Sequence, residues 1–162
     1  MSESLSPPDS WDMIRHADRC DICAPREPNN AQVLLIAPLA ISTLYLFRDQ
    51  RFRGYSLLTF DARHVTALEE LSESEYAAYL SDLRRASTAI RRALNPDHMN
   101  YECLGNGNPH LHWHVVPRYK NDPRWGQPIW EGWPRAEFIN HPYVLRDGEY
   151  AGIIKLIRAQ LQ

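Results

Sequence analysis

The sequence predicts one α+β domain of about five strands, a long helix and a C-terminal helix. Three observations predict it. Short runs of β-branched and aromatic residues are separated by turn residues. One segment has helical periodicity with stop signals at both ends. No repeat, linker or shift of composition divides the 162 residues, a length close to the commonest for a single domain.

The elements follow in order. Residues 1–10 are polar and rich in proline and are expected to be flexible, and Ser10 can cap a short helix over Trp11–Asp18. Val33–Ala37, Ile41–Phe47 and Tyr55–Phe60 read as strands, with the charged stretch Arg48–Gly54 as the turn between the last two. Ser72 and Glu75 have the spacing of a capping box. After them Tyr76, Tyr79, Leu80, Leu83, Ala86, Ile90 and Leu94 recur at helical spacing, until Asn95-Pro96 ends the helix. Arg84, Arg85, Arg91 and Arg92 lie mostly off that stripe and read as a solvated face. Met99–Leu104 and His110–Val116 are strands joined by a tight loop, Gly105–Pro109. Residues 118–148 are irregular and rich in Pro, Gly and Trp, and a helix over about Glu149–Leu161 closes the chain.

Composition excludes several functions. Hydrophobic residues are 44% and charged residues 23%, ordinary for a globular chain. The longest apolar run, near Val33–Ile41, contains Pro38 and is far shorter than the roughly 20 residues that span a bilayer. A net charge of −2 gives no bulk attraction to nucleic acid or anionic lipid, so neither specific nucleic-acid binding nor membrane association is expected. No secretory signal is visible. Three cysteines cannot complete a disulfide framework, and the cytoplasm is the expected location.

The chemistry concentrates in His110-Leu111-His112-Trp113-His114-Val115-Val116. Side chains alternate along a strand, so His110, His112 and His114 are predicted to share one face, with Leu111, Trp113 and Val115 on the core side. Two chemistries want imidazoles in a row. A metal takes two or three of them, though a facial triad also needs a carboxylate, and the next acid is Asp122. An imidazole nucleophile needs a neutral nitrogen and a neighbour that fixes its tautomer. The preceding loop, Gly105-Asn106-Gly107-Asn108, favours the nucleophile, because backbone N–H groups of such a loop can cradle phosphate. Cys20-x-x-Cys23 leaves three readings open: a redox pair without its βαβ context, an incidental pair, or half of a tetrahedral zinc site. Cys103 reads as a buried small hydrophobe.

The pattern His110-x-His112-x-His114-Val115-Val116 resembles the signature of the histidine triad (HIT) family of nucleotide hydrolases and transferases. The resemblance spans roughly residues 20–118 and includes Gly54-Tyr55-Ser56-Leu57-Leu58 and His64-Val65, while Pro117–Trp125 resembles a bacterial branch. It implies an antiparallel sheet of HIT-like fold. It also implies that His112 attacks the α-phosphorus of a nucleotide to form a nucleotidyl-histidine, and that His114 hydrogen-bonds the phosphate or bridging oxygen. Asn100 matches a phosphate-contacting asparagine and Asp49 a ribose-binding acid, each one residue out of register. The loop, with Asn106, Gly107 and Asn108 in place of the usual glutamine or serine donors, shifts phosphate contact to its backbone, from Gly105 onward. In relatives with a zinc site, the two cysteines are completed by the counterparts of His64 and His110, so Zn2+ on Cys20, Cys23, His64 and His110 is implied. A homodimer joined through the long helix and strand 99–104 is implied too. The resulting expectation is a hydrolase acting at the α-phosphate of a phosphoester, phosphoanhydride or phosphoramidate. Its rivals are a transferase or phosphorylase with another acceptor, and a non-catalytic nucleotide-binding protein. Arg118, Lys120 and Arg124 are expected to hold further phosphates, and Trp125, Trp130 and Trp133 to pack or to stack on a leaving group.

Overall fold

Strict alternation in the second strand divides the molecule into two faces. Ser42, Leu44 and Leu46 are buried against the helices, while Thr43, Tyr45 and Phe47 look the other way. The computed structural model describes residues 16–24, 27, 29–131 and 142–162. Its strands are β1 (Val33–Pro38), β2 (Ser42–Phe47), β3 (Ser56–Phe60), β4 (His98–Glu102) and β5 (His112–Arg118). They pair antiparallel throughout in the order β1-β2-β3-β5-β4. Helices α1 (Glu73–Leu94) and α2 (Asp147–Arg158) cover one face. The core between them holds Ile36, Leu44, Leu58, Phe60, Tyr79, Ile90, Val115 and Ile153. Among the described residues no helix is long and apolar enough to cross a membrane.

The ends of α1 are as the sequence predicts. Ser72 accepts from the N–H of Glu75, Glu75 reaches back to Ser72 N, and Asn95 stops the helix at φ 47°. The stripe itself is divided. Tyr79, Ala86 and Ile90 are buried, whereas Tyr76 is exposed and Leu80 and Leu83 line an outer groove with Tyr101 of β4. Asp82 takes a buried place that periodicity did not suggest. Its carboxylate accepts from the N–H groups of Ala40 (3.2 Å) and Ile41 (2.9 Å) and from the hydroxyl of Ser42 (2.7 Å), fastening the β1–β2 turn to the helix.

Several boundaries differ from expectation, β4 covering His98–Glu102 in place of Met99–Leu104 among them. The last strand starts at His112 rather than His110, because Leu111 is tied by its N–H to Val65 and by its carbonyl to Phe60, which turns the chain just after Pro109. It runs on to Arg118, through Pro117, which faces the Gly54–Leu94 contact. The final helix covers Asp147–Arg158, and Arg158 reaches the carbonyls of Leu35 and Ile36, where β1 bulges. The predicted flexible stretch 1–10 and most of the helix predicted over 11–18 lie outside the described residues, within which Ala17–Arg19 forms a single 3-10 turn. Residues 119–131 are turns, and Trp133 lies outside the described residues.

Asp82→Ala leaves two part-buried N–H groups and the buried Ser42 hydroxyl without an acceptor and is expected to cost about 2 kcal/mol of stability. Urea unfolding checks it, and a loss under about 1 kcal/mol would contradict this role.

Candidate active site

On the face away from the helices, β5 presents His112, His114, Val116 and Arg118. Its neighbours in register are Thr59 and Leu57 of β3, opposite His112 and His114, and Glu102 and Asn100 of β4, opposite His114 and Val116. The turn between β2 and β3 brings Tyr55 to the same surface. Gln50, buried in that turn, donates to the carbonyls of Phe47 and Tyr55 and accepts from Gly54 N at 2.7 Å. Gly54 has φ +86°, and a Cβ there would stand 2.3 Å from Leu94 Cδ1, so both conformation and space require glycine.

A run of hydrogen bonds crosses the histidines. His112 Nδ1 lies 2.5 Å from the carbonyl oxygen of His110, which only accepts, so Nδ1 carries the proton and Nε2 is left with its lone pair. His112 Nε2 is 3.2 Å from His114 Nε2, and His114 Nδ1 is 2.7 Å from the Tyr55 hydroxyl. Burial lowers the pKa of both rings. That of His114 falls to about 3, through burial first and the neighbouring His112 second. Both imidazoles are therefore neutral near pH 7. Aromatic groups enclose them: the His114 and Trp130 rings meet edge to face at 5.3 Å, and Phe47 stacks on Tyr55 at 4.3 Å. Trp130 donates its N–H to Glu102, whose carboxyl is raised by burial against the opposing pull of that bond.

His110 departs from the expected shared face. It precedes the paired strand, and its ring turns away from the other two. Nε2–H donates to the carbonyl of Phe60 at 2.5 Å, which leaves Nδ1 bare and aimed at Cys20 Sγ (3.4 Å) and Cys23 Sγ (3.3 Å). Cys23 Sγ also lies 3.3 Å from His64 Nδ1, and the four ligand atoms all fall within 4.8 Å of one another. Bonds of about 2.3 Å to sulfur and 2.0–2.1 Å to nitrogen at tetrahedral angles would separate S and N by roughly 3.5 Å, so this donor set fits Zn2+. The Phe60 carbonyl is the outer partner that a ligating imidazole ordinarily has. The N–H of Cys23 points at Cys20 Sγ at 3.4 Å, which suits a thiolate.

The other expected site residues are placed as follows. In the loop, Gly105 adopts φ +64°, Asn106 and Gly107 are exposed, and Asn108 turns its oxygen to the N–H of His110 (3.2 Å). Asn100 accepts from Arg118 at 2.6 Å. Asp49 binds Arg51 through both oxygens and also accepts from Tyr143 N. Cys103, expected to be buried, is exposed. Arg118, expected to hold phosphate, is 3% exposed and uses all five N–H donors inside the fold. It binds both oxygens of Asp122, the side-chain oxygen of Asn100, and the carbonyls of Arg124 and Gln127. Lys120 is exposed, 3.8 Å from Asp97. Tyr55 and Glu102 had no assigned role in the sequence reading. The signals for them were the Gly54-Tyr55-Ser56 motif and the period of two in β4 counted from Asn100.

A HIT domain family model matches residues 42–121. Among solved structures, a histidine triad protein from Bradyrhizobium japonicum is 22% identical with a TM-score of 0.73, over 86% of this chain and 98% of that one. A histidine triad protein from Sinorhizobium meliloti is 20% identical with a TM-score of 0.72, over 85% and 96%. A zinc-bound histidine triad family protein from Mycobacterium smegmatis is 20% identical with a TM-score of 0.58, over 90% and 95%. No curated protein sequence matches the chain.

Buried neutral histidines make stability depend on acid. The ordinary His114 pKa of 6.5 falls to about 3 in the fold, so below pH 6.5 the unfolded chain binds a proton that the native state does not. Stability is therefore expected to be full above about pH 6.5 and to fall as the pH drops toward 3. His114→Asn should make that fall shallower than in the wild type. Urea titrations over this range check it, and parallel slopes would count against a neutral His114.

Proposed function

The chain carries a HIT domain over residues 42–121, and on that premise we propose that it hydrolyses a nucleotide at the α-phosphate through a covalent intermediate on His112. The supporting observation is the bond from His112 Nδ1 to the His110 carbonyl, which leaves Nε2 neutral and nucleophilic beside His114. Nε2 attacks phosphorus, an N–P bond forms, and the bond from phosphorus to the leaving group breaks, its electron pair departing with the leaving group. Nδ1–H remains on the His110 carbonyl and stabilises the positive imidazolium that results. His114 Nε2–H donates to a phosphoryl oxygen. Water then attacks phosphorus, the N–P bond breaks, imidazole is restored and a proton passes to solvent.

In this reading the backbone of Gly105–Asn108 contacts phosphate. Asn100, whose oxygen is held by Arg118, offers its amide N–H groups. Asp49 meets ribose hydroxyls by exchanging them for Arg51. Cys20, Cys23, His64 and His110 would hold Zn2+ as a closed four-ligand site, which supplies structural bracing and no open position for substrate. The reading extends to a homodimer across β4 and α1. In its favour, β4 is an edge strand, exposed Tyr101 lines the groove of Leu80 and Leu83, and Tyr76 of α1 is exposed.

His112→Gly is expected to abolish turnover of adenosine or guanosine phosphoesters and phosphoramidates while changing mononucleotide affinity by less than about tenfold, roughly 1.4 kcal/mol. A variant retaining substantial rate would remove the covalent step. Protein purified without chelator should hold about one zinc per chain, and Cys20→Ser/Cys23→Ser should hold none. Metal retained by that double variant would reject the ligand set. Sedimentation at micromolar concentration is expected to give twice the chain mass of 18.8 kDa, and a monomer would count against the β4 interface.

A further inference from the structure

The hydroxyl of Tyr55 has a direction that the rest of the site imposes. The His110 carbonyl has no proton to give, so His112 Nδ1 is the donor in their bond and His112 Nε2 is bare. Two bare nitrogens 3.2 Å apart would oppose lone pair to lone pair, so the proton between the rings sits on His114 Nε2. A neutral His114 protonated at Nε2 has a bare Nδ1, and the Tyr55 oxygen lies 2.7 Å from it. A hydroxyl can rotate to donate or accept. Here only donation completes the series.

Tyr55 is built to hold that position. It is 3% exposed, stacked on Phe47 and edge-on to Trp130 at 6.4 Å. Its backbone carbonyl accepts from Phe47 N and from the Gln50 amide, and Gly54 sets the chain immediately before it. Burial, with Glu102 nearby, keeps its phenol protonated well beyond the range in which it normally ionises.

We propose that Tyr55 is a positioning residue that donates its O–H to Nδ1 of His114 and so locks His114 as the Nε2–H tautomer, presenting a hydrogen-bond donor to the His112 nitrogen and to a phosphoryl oxygen bound between them. The hydrogen-bond assignment stands on geometry alone, and its catalytic consequence rests on the reading of His112 as nucleophile. Without the hydroxyl, His114 can carry its proton on Nδ1, and it then turns a lone pair instead of a donor toward the phosphate. No net proton transfer through Tyr55 is required.

The test is Tyr55→Phe, which keeps the ring, read by 15N signals of the His114 imidazole and by steady-state kinetics on an adenosine phosphoramidate. Wild-type protein should show His114 as the Nε2–H form. The variant should show a mixed population, with kcat lower by about tenfold, the size of one lost hydrogen bond, and KM changed less than about twofold. An Nδ1–H form in the wild type, or a tautomer unchanged in the variant, overturns the proposal. The wild-type spectrum decides alone should the variant not fold. A tautomer shift in protein that turns over no nucleotide supports the role of Tyr55 and overturns the hydrolase reading instead.

Discussion

The carbonyl oxygen of His110 accepts a hydrogen bond from Nδ1–H of His112, and that one bond orders the polar half of the site. A main-chain carbonyl cannot reverse its role as a side chain can. It fixes which nitrogen of His112 carries the proton, which nitrogen of His114 answers it, and what the Tyr55 hydroxyl meets. The same residue faces the other way with its ring, whose Nε2–H is fixed by Phe60 and whose Nδ1 joins the cysteines. His110 thus belongs to two clusters at once, with backbone in one and imidazole in the other. That arrangement requires it to lie just outside the paired strand.

Burial gives these bonds their effect. In water the imidazoles would exchange protons and partners freely. Enclosed by Phe47, Tyr55 and Trp130, the pair is held neutral, and neutral imidazole is the form able to attack phosphorus. The enclosure is assembled by Arg118. Its guanidinium, over the Phe52 ring, binds Asp122 with both arms of the fork and gathers the carbonyls of Arg124 and Gln127. A turn-rich segment is thereby fixed, and Ile129 and Trp130 follow onto a small second core with Phe52, Tyr55 and Val116. A buried arginine would be costly if any donor were unmet. With five hydrogen bonds to four residues it serves as a staple, and it is therefore closed to phosphate.

Most of the scaffold was legible in the sequence because it follows local rules. The β-branched and aromatic run that makes β2, the capping box at Ser72 and the Asn95-Pro96 stop each depend on neighbours a few residues away, and each appears where the pattern puts it. The five-stranded antiparallel sheet and its two helices were expected as a whole. Cys20, Cys23, His64 and His110 were grouped by resemblance, and they converge in the structure. The departures are tertiary. Asp82 looks like a surface acid until the β1–β2 turn descends on it. Arg118 looks like a phosphate ligand until the following loop folds back over it.

The sequence by itself determined the element order, the ends of the long helix and the concentration of imidazoles on one strand, since these are written in consecutive residues. Only the tertiary structure decided how those imidazoles divide. The β3–β5 ladder ends as the N–H of Leu111 goes to Val65 and the His110 ring to the carbonyl of Phe60, which sets the His110 ring among the cysteines while His112 and His114 stay together. Likewise only the fold could give Tyr55 a role. A tyrosine at a strand entrance is ordinary in sequence. Its hydroxyl acquires a direction from a carbonyl 55 positions away, through two rings whose protons have nowhere else to go.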